Sequence, residues 1–97
     1  MVLHVQIYGR VQGVYYRIST QKYAQSLGLV GWVRNRADGS VEVMAYDRDV
    51  PDGISSQRLS DLQQWCSQGP PMANVTSIHF SWVEKTEEWL DFRVLRH

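Results

Sequence analysis

Leu3, Val5 and Ile7 alternate with His4, Gln6 and Tyr8, the period of a strand with one buried face, so a first strand is expected to about Tyr8. Gly9-Arg10-Val11-Gln12-Gly13-Val14 breaks the alternation. Tyr16, Thr20, Tyr23, Ala24 and Leu27 then recur at helical spacing until Gly28, a residue type that commonly closes helices. Leu29 to Arg34 reads as a second strand and Ala37-Asp38-Gly39 as a turn. Val41, Val43 and Ala45, alternating with Glu42, Met44 and Tyr46, form a third strand, and the Asp-Gly pair predicts a hairpin. The polar, proline-containing stretch from Asp47 to Gly53 is a loop. Ser55 or Ser56 then caps a second helix with an inner stripe of Leu59, Leu62 and Cys66 and with Trp65 at its flank. Gly69-Pro70-Pro71 ends that helix. Ile78, Phe80 and Trp82 alternate as a fourth strand, and Leu90 to Leu95, carrying Phe92 and Val94, makes a short last one.

The order β-α-β-β-α-β plus a terminal strand predicts an α+β, ferredoxin-like sandwich, an antiparallel sheet with both helices on one face. A chain of 97 residues, 43% hydrophobic, is expected to form one domain over residues 1–97, since a chain this short buries only about two-thirds of its unfolded surface. Such a fold hosts enzymes, ligand-binding modules and RNA-binding domains, so function has to come from a site.

Charge narrows the classes. Ten Lys plus Arg balance ten Asp plus Glu, which argues against a nucleic-acid module working through bulk positive charge. The balance hides an asymmetry, because residues 1–37 hold Arg10, Arg17, Lys22, Arg34 and Arg36 and no carboxylate. A carboxylate-free third is a place for an anionic ligand. The single Cys66 excludes an intrachain disulfide, no basic leader precedes an apolar core, and no stretch reaches the length of a membrane span, so a cytoplasmic protein is expected.

Two stretches carry candidate chemistry. Gly9 and Gly13 bracket Arg10-Val11-Gln12, and Arg17 follows within the first helical turn. Glycines let a loop curl so that successive N–H groups point inward, and a helix N-terminus adds unpaired donors and about half a positive charge. Together these make an anion cradle, to which Arg17 adds a planar fork of donors suited to phosphate oxygens. Spacing alone equally allows a glycine-containing connection with a surface arginine. The Gly-Lys-Ser/Thr ending of a Walker loop is absent. The other stretch is Gly31-Trp32-Val33-Arg34-Asn35, where Asn35 taken alone reads as a residue that starts a turn.

As a pair the two stretches say more. Ile7-Tyr8-Gly9-Arg10-Val11-Gln12-Gly13-Val14-Tyr15-Tyr16-Arg17, together with Gly31-Trp32-Val33-Arg34-Asn35 and Gly39-Ser40-Val41, resembles the two signature segments of the acylphosphatase family. The likeness extends along the chain, with Leu62-Gln63-Gln64-Trp65 and Gly69 to Val75 similar to that family's second helix and following loop, and Asp91-Phe92-Arg93-Val94 to its closing strand. Two positions depart from the pattern: Tyr16 stands where Phe is usual, and Asp47 where a glycine usually closes the second signature.

The resemblance implies hydrolysis of acyl phosphates to a carboxylate and inorganic phosphate, with no metal and no cofactor. By residue carry-over, Arg17 binds the phosphoryl group with the amides of Arg10, Val11, Gln12, Gly13, Val14, Tyr15, Tyr16 and Arg17, and Asn35 positions the attacking water. The implied partners are a small-molecule acyl phosphate and inorganic phosphate as product and inhibitor, without nucleic acid or membrane, and a monomer is expected. The alternative is a non-catalytic phosphate-binding module on the same fold. RNA binding is disfavoured because Val41-Glu42-Val43-Met44-Ala45-Tyr46 carries no RNP-like pattern. Asp47, Asp49 and Asp52 lack the turn glycine and closing Glu of a calcium loop. His4, His79 and His97 show no ligand spacing, Cys66 reads as a small core residue, and Trp32, Trp65, Trp82 and Trp89 as core and edge-covering side chains.

Overall fold

The structure, a computed structural model, describes residues 1–96, so His97 lies outside it. Five strands and two helices follow one another as β1 (Val2–Arg10), α1 (Tyr16–Ser26), β2 (Val30–Asn35), β3 (Val41–Tyr46), α2 (Gln57–Cys66), β4 (Asn74–Val83) and β5 (Phe92–Leu95). The strands form one sheet in the order β4-β1-β3-β2-β5. The alternation read from the sequence decides its faces. Leu3, Val5, Ile7, Val33, Val41, Val43 and Ala45 are buried against Tyr16, Thr20 and Ala24 of α1 and Leu59, Leu62 and Cys66 of α2. Each large aliphatic side chain buried in this way contributes about 1.5–3 kcal/mol.

β1 pairs antiparallel with β3 and β4, and β2 and β3 form the hairpin that Asp38-Gly39 announced. The sheet is not antiparallel throughout, however, because β5 runs parallel to β2, with Phe92 beside Gly31 and Val94 beside Val33. The reason is the path of the chain: β4 finishes at the end of the sheet where β1 and β2 begin. The connection of residues 84–91 crosses at that same end, so β5 can only run back alongside β2 in the same direction. β1 also extends beyond Tyr8, since after a bulge between Tyr8 and Gly9 it continues to pair with Val75 and Asn74. On β4 the alternation does not mean full burial: Phe80 is 38% and Trp82 49% exposed. β4 lies at the sheet edge, beyond the full cover of the helices.

Both departures from the family pattern are absorbed by the packing. The Tyr16 hydroxyl donates to the Cys66 carbonyl at 2.6 Å, and its ring lies 5.6 Å from that of Trp65. Burial is the main reason this phenol is pushed far above its ordinary pKa. Gly69 leaves room for the ring, because a Cβ there would approach it to 2.6 Å. Asp47 is buried and works on the loop after β3: Oδ2 accepts from Ser56 Oγ at 2.6 Å and Oδ1 from the Asp49 N–H at 3.0 Å. Ser56 Oγ in turn accepts from the Leu59 N–H at 3.1 Å, capping α2.

Candidate active site

β1 hands the chain to a short loop that α1 takes up at Tyr16. Val11, Val14 and Tyr16 are buried, while Gly13 and Tyr15 are exposed. The loop is therefore pinned from beneath at alternate positions. Its curl requires left-handed backbone at Gly13 (φ 75°) and at Tyr15 (φ 65°). Glycine takes this conformation freely, whereas for Tyr15 it costs of order 1 kcal/mol or more. α1 begins with no side-chain cap and no acidic residue in its first turn. Its first amides consequently keep their donors and the positive end of the helix dipole stays unneutralised.

Arg17 sits in that first turn, partly buried, with Nη1 donating to the Leu95 carbonyl at 3.2 Å. Among the described residues no carboxylate lies within 4.0 Å of it. Asn35 is the last residue of β2, paired with Val41 across the hairpin. Its Oδ1 is buried and has no hydrogen-bond partner among the described residues. Arg17 and Asn35 line one cavity of about 340 Å³, with Val11, Gly13, Tyr15 and Tyr16 from the loop and helix start. Ile18 and Val94 complete its apolar side.

Three of the expected cradle residues do not line this cavity. Arg10 is exposed at the end of β1 opposite Asn74, and Val14 is buried beneath the loop. Gln12 turns its side chain toward the β2-β3 hairpin, where Nε2 donates to the carbonyls of Arg36 (2.8 Å) and Ser40 (2.9 Å). Ile18 and Val94, in turn, were not singled out by the sequence. Ile18 could have been found, because it lies three residues beyond Tyr15 and hence on the same side of a helix start. Val94 reaches the cavity only through the parallel pairing of β5, which no local pattern announces.

The hairpin turn beside Asn35 is held by its own bonds. Arg36 N–H donates to the Ser40 carbonyl at 2.8 Å, and Asp38 Oδ1 accepts from both the Ser40 N–H and its hydroxyl. The Ser40 hydroxyl, then its amide, holds the Asp38 carboxyl below the usual range. Of the five cations in residues 1–37 only Arg34 has an ion-pair partner among the described residues, Glu42 at 2.7 Å. Glu42 also meets His4 Nε2 at 2.6 Å. Burial alone would raise its pKa, but the bonds to His4 and Arg34 outweigh it and hold the carboxyl below its ordinary value.

Elsewhere, a cavity of about 310 Å³ lies at the opposite end of β1, lined by Met1, Ile54 and Trp82 among others, and holds none of the expected site residues. Cys66 is fully buried and its thiol is pushed up to about 12 by that burial, the state of a core residue and not of a nucleophile. Among the described residues no group of three or more His, Cys, Asp or Glu side chains is placed to hold a metal ion. No helix among them is long and apolar enough to cross a membrane.

Comparison with known proteins points to one family. The sequence model of the Acylphosphatase family matches residues 3–94. An acylphosphatase of Pelotomaculum thermopropionicum is 41% identical over 92 residues, covering 94% of this chain and 91% of the relative. Among solved structures, an acylphosphatase from Coxiella burnetii superposes with a TM-score of 0.80 at 37% identity, covering 97% of this chain and 90% of that one. The acylphosphatase from Bacillus subtilis does so with a TM-score of 0.82 at 31% identity, covering 98% and 99%.

Proposed function

The chain belongs to the acylphosphatase family and hydrolyses acyl phosphates to a carboxylate and inorganic phosphate, and we propose that Arg17 and the loop amides hold the phosphoryl group while Asn35 orients the attacking water. The observation that carries this assignment is that Asn35 lines the same cavity as Arg17 and Gly13 and keeps a buried Oδ1 with no hydrogen-bond partner among the described residues. A buried acceptor without a donor costs about 1–3 kcal/mol. A water that donates one hydrogen to it recovers that cost and keeps a lone pair free for phosphorus.

The chemistry asks for little else. Water oxygen forms a bond to phosphorus as the bond from phosphorus to the acyl oxygen breaks, and the carboxylate leaves with the electron pair. A carboxylate is a good leaving group and needs no proton. The attacking water's proton passes to a phosphoryl oxygen, since neither an amide nor a guanidinium serves as a base near neutrality. What remains is positioning and stabilisation of the equatorial oxygens. Arg17 and the uncapped start of α1 supply both. The reaction so described is independent of metal, and the protein is read as a single domain over residues 1–97, acting as a cytoplasmic monomer.

Benzoyl phosphate hydrolysis, followed with and without EDTA and with inorganic phosphate as competitor, tests the scheme. Turnover that survives EDTA and is competitively inhibited by phosphate supports it. Asn35→Ala should lower kcat by about 10²–10³ while leaving phosphate inhibition nearly unchanged. Wild-type kcat in that variant would remove Asn35 from the mechanism.

A further inference from the structure

The two halves of this site come from chain segments with no covalent reason to stay in register. The loop before α1 carries the donors, and the β2-β3 hairpin carries Asn35. Beyond the sheet pairing of β1 with β3, one side chain among the described residues hydrogen-bonds from the loop to the hairpin. Gln12 stands between Val11 and Gly13, both of which line the cavity, yet its own side chain leaves the cavity and crosses to the hairpin. There a single nitrogen uses both of its hydrogens, one on the Arg36 carbonyl at 2.8 Å and one on the Ser40 carbonyl at 2.9 Å. Two carbonyl acceptors leave no choice about which end of the amide is the nitrogen.

The two carbonyls are informative. Arg36 directly follows Asn35, and Ser40 directly precedes Val41, the residue paired with Asn35. The Ser40 carbonyl also accepts the Arg36 N–H at 2.8 Å. Gln12 thus grips both arms of the hairpin one residue beyond the pair that presents Asn35. Asn35 Oδ1, by contrast, has no partner of its own among the described residues, so its side chain depends on its backbone for placement.

From this we infer that Gln12 is a positioning residue, holding the hairpin against the loop so that the Asn35 amide stays at a fixed distance from the phosphoryl group bound at Arg17. This rests on the roles given above to Arg17 and Asn35. Its effect falls on the alignment of water with phosphorus, not on binding. Misplacement of a reacting group by about 1 Å is enough to lower a rate by about 100-fold. The loop amides and Arg17 keep their own anchors, Val11, Val14 and Tyr16 in the core and Leu95 beside the guanidinium.

The test is a cycle of variants assayed with benzoyl phosphate, with inorganic phosphate as the competitor. Gln12→Met keeps the length and removes the donors; Gln12→Asn keeps the amide but is too short to span the gap. Each should lower kcat about 10- to 100-fold while shifting the phosphate inhibition constant by less than about threefold. In the Asn35→Ala background, Gln12→Met should change kcat by less than about twofold, because the group it aligns is gone. Rates are normalised to folded protein by tryptophan fluorescence. Wild-type kcat in the folded single variants overturns the inference. So does an undiminished Gln12→Met effect without Asn35, or phosphate affinity falling in parallel with kcat. If Asn35→Ala itself keeps wild-type kcat, it is the assignment of Asn35 that fails, a result separate from any of these.

Discussion

The two helices begin in opposite ways. At the start of α2, Ser56 is extended (φ −108°, ψ 119°), its Oγ accepts the Leu59 N–H, and its hydroxyl is held by Asp47. At the start of α1, Tyr15 is left-handed (φ 65°), and among the described residues no side chain caps the first turn, which itself holds no acidic residue. Every helix has a positive end, so that end cannot be what distinguishes a binding site. What differs is that the chain supplies its own acceptor at α2 and withholds one at α1. The same contrast runs through the charges, with Arg58 in the first turn of α2 bonded to Asp49 at 2.7 Å and Arg17 in the first turn of α1 without a carboxylate within 4.0 Å among the described residues.

Removing the cation from the open helix start should have the largest effect. Arg17→Gln is expected to lower kcat/KM by about 10³ or more and to weaken phosphate inhibition with it, as steady-state kinetics would register. Dismantling the closed start should leave kinetics alone. Asp47→Ala strands the Ser56 hydroxyl and the Asp49 amide, so stability should fall by about 2 kcal/mol. For a domain of this size that is a loss of roughly 10 °C in Tm, with kcat per folded molecule unchanged. Making α1 resemble α2 sharpens the comparison from the other side: Tyr15→Asp places a carboxylate where the proposed mechanism puts the substrate anion. KM for acyl phosphate and the phosphate inhibition constant should rise about tenfold, or about 1.4 kcal/mol, with little loss of stability because Asp tolerates left-handed backbone better than Tyr.

The smallest expected effect lies away from both helices. The Glu42 carboxyl is held below its ordinary value, so its bonds to His4 and Arg34 stabilise the fold fully above the unfolded carboxylate pKa and progressively less as pH falls through the folded one. Arg34 is partly exposed, and the contribution is under about 1 kcal/mol. Urea unfolding of Glu42→Gln at several pH values should show a shallower acid-side decline than the wild type. An equal slope in both would show that other carboxylates set it.

Much of this was legible in the sequence, for a physical reason. Period-two alternation marks a sheet face directly, so Leu3, Val5 and Ile7 declared theirs, and Asp38-Gly39 declared the hairpin. Asn35 was legible only through the pair of segments, since alone it reads as a turn former. What was not legible depends on which elements become neighbours. The parallel place of β5, the arrival of Val94 at the cavity and the partial exposure of Phe80 and Trp82 all follow from sheet order. Local spacing does not encode that order. Asp47 and the Gln12 side chain escaped for a related reason: each acts by bonding a segment brought near only by folding.

The bond from Arg17 to the Leu95 carbonyl spans 78 positions of sequence. Gln21 donates likewise to the Phe92 carbonyl at 3.0 Å, across 71 positions. Contacts of such long range are the slowest to form in a folding chain. On a ribosome, α1 and its loop emerge long before the strand that anchors the guanidinium, and a growing chain must wait for β5 before Arg17 is fixed. The placement of Arg17 is therefore a late product of folding, completed only when β5 has docked beside β2.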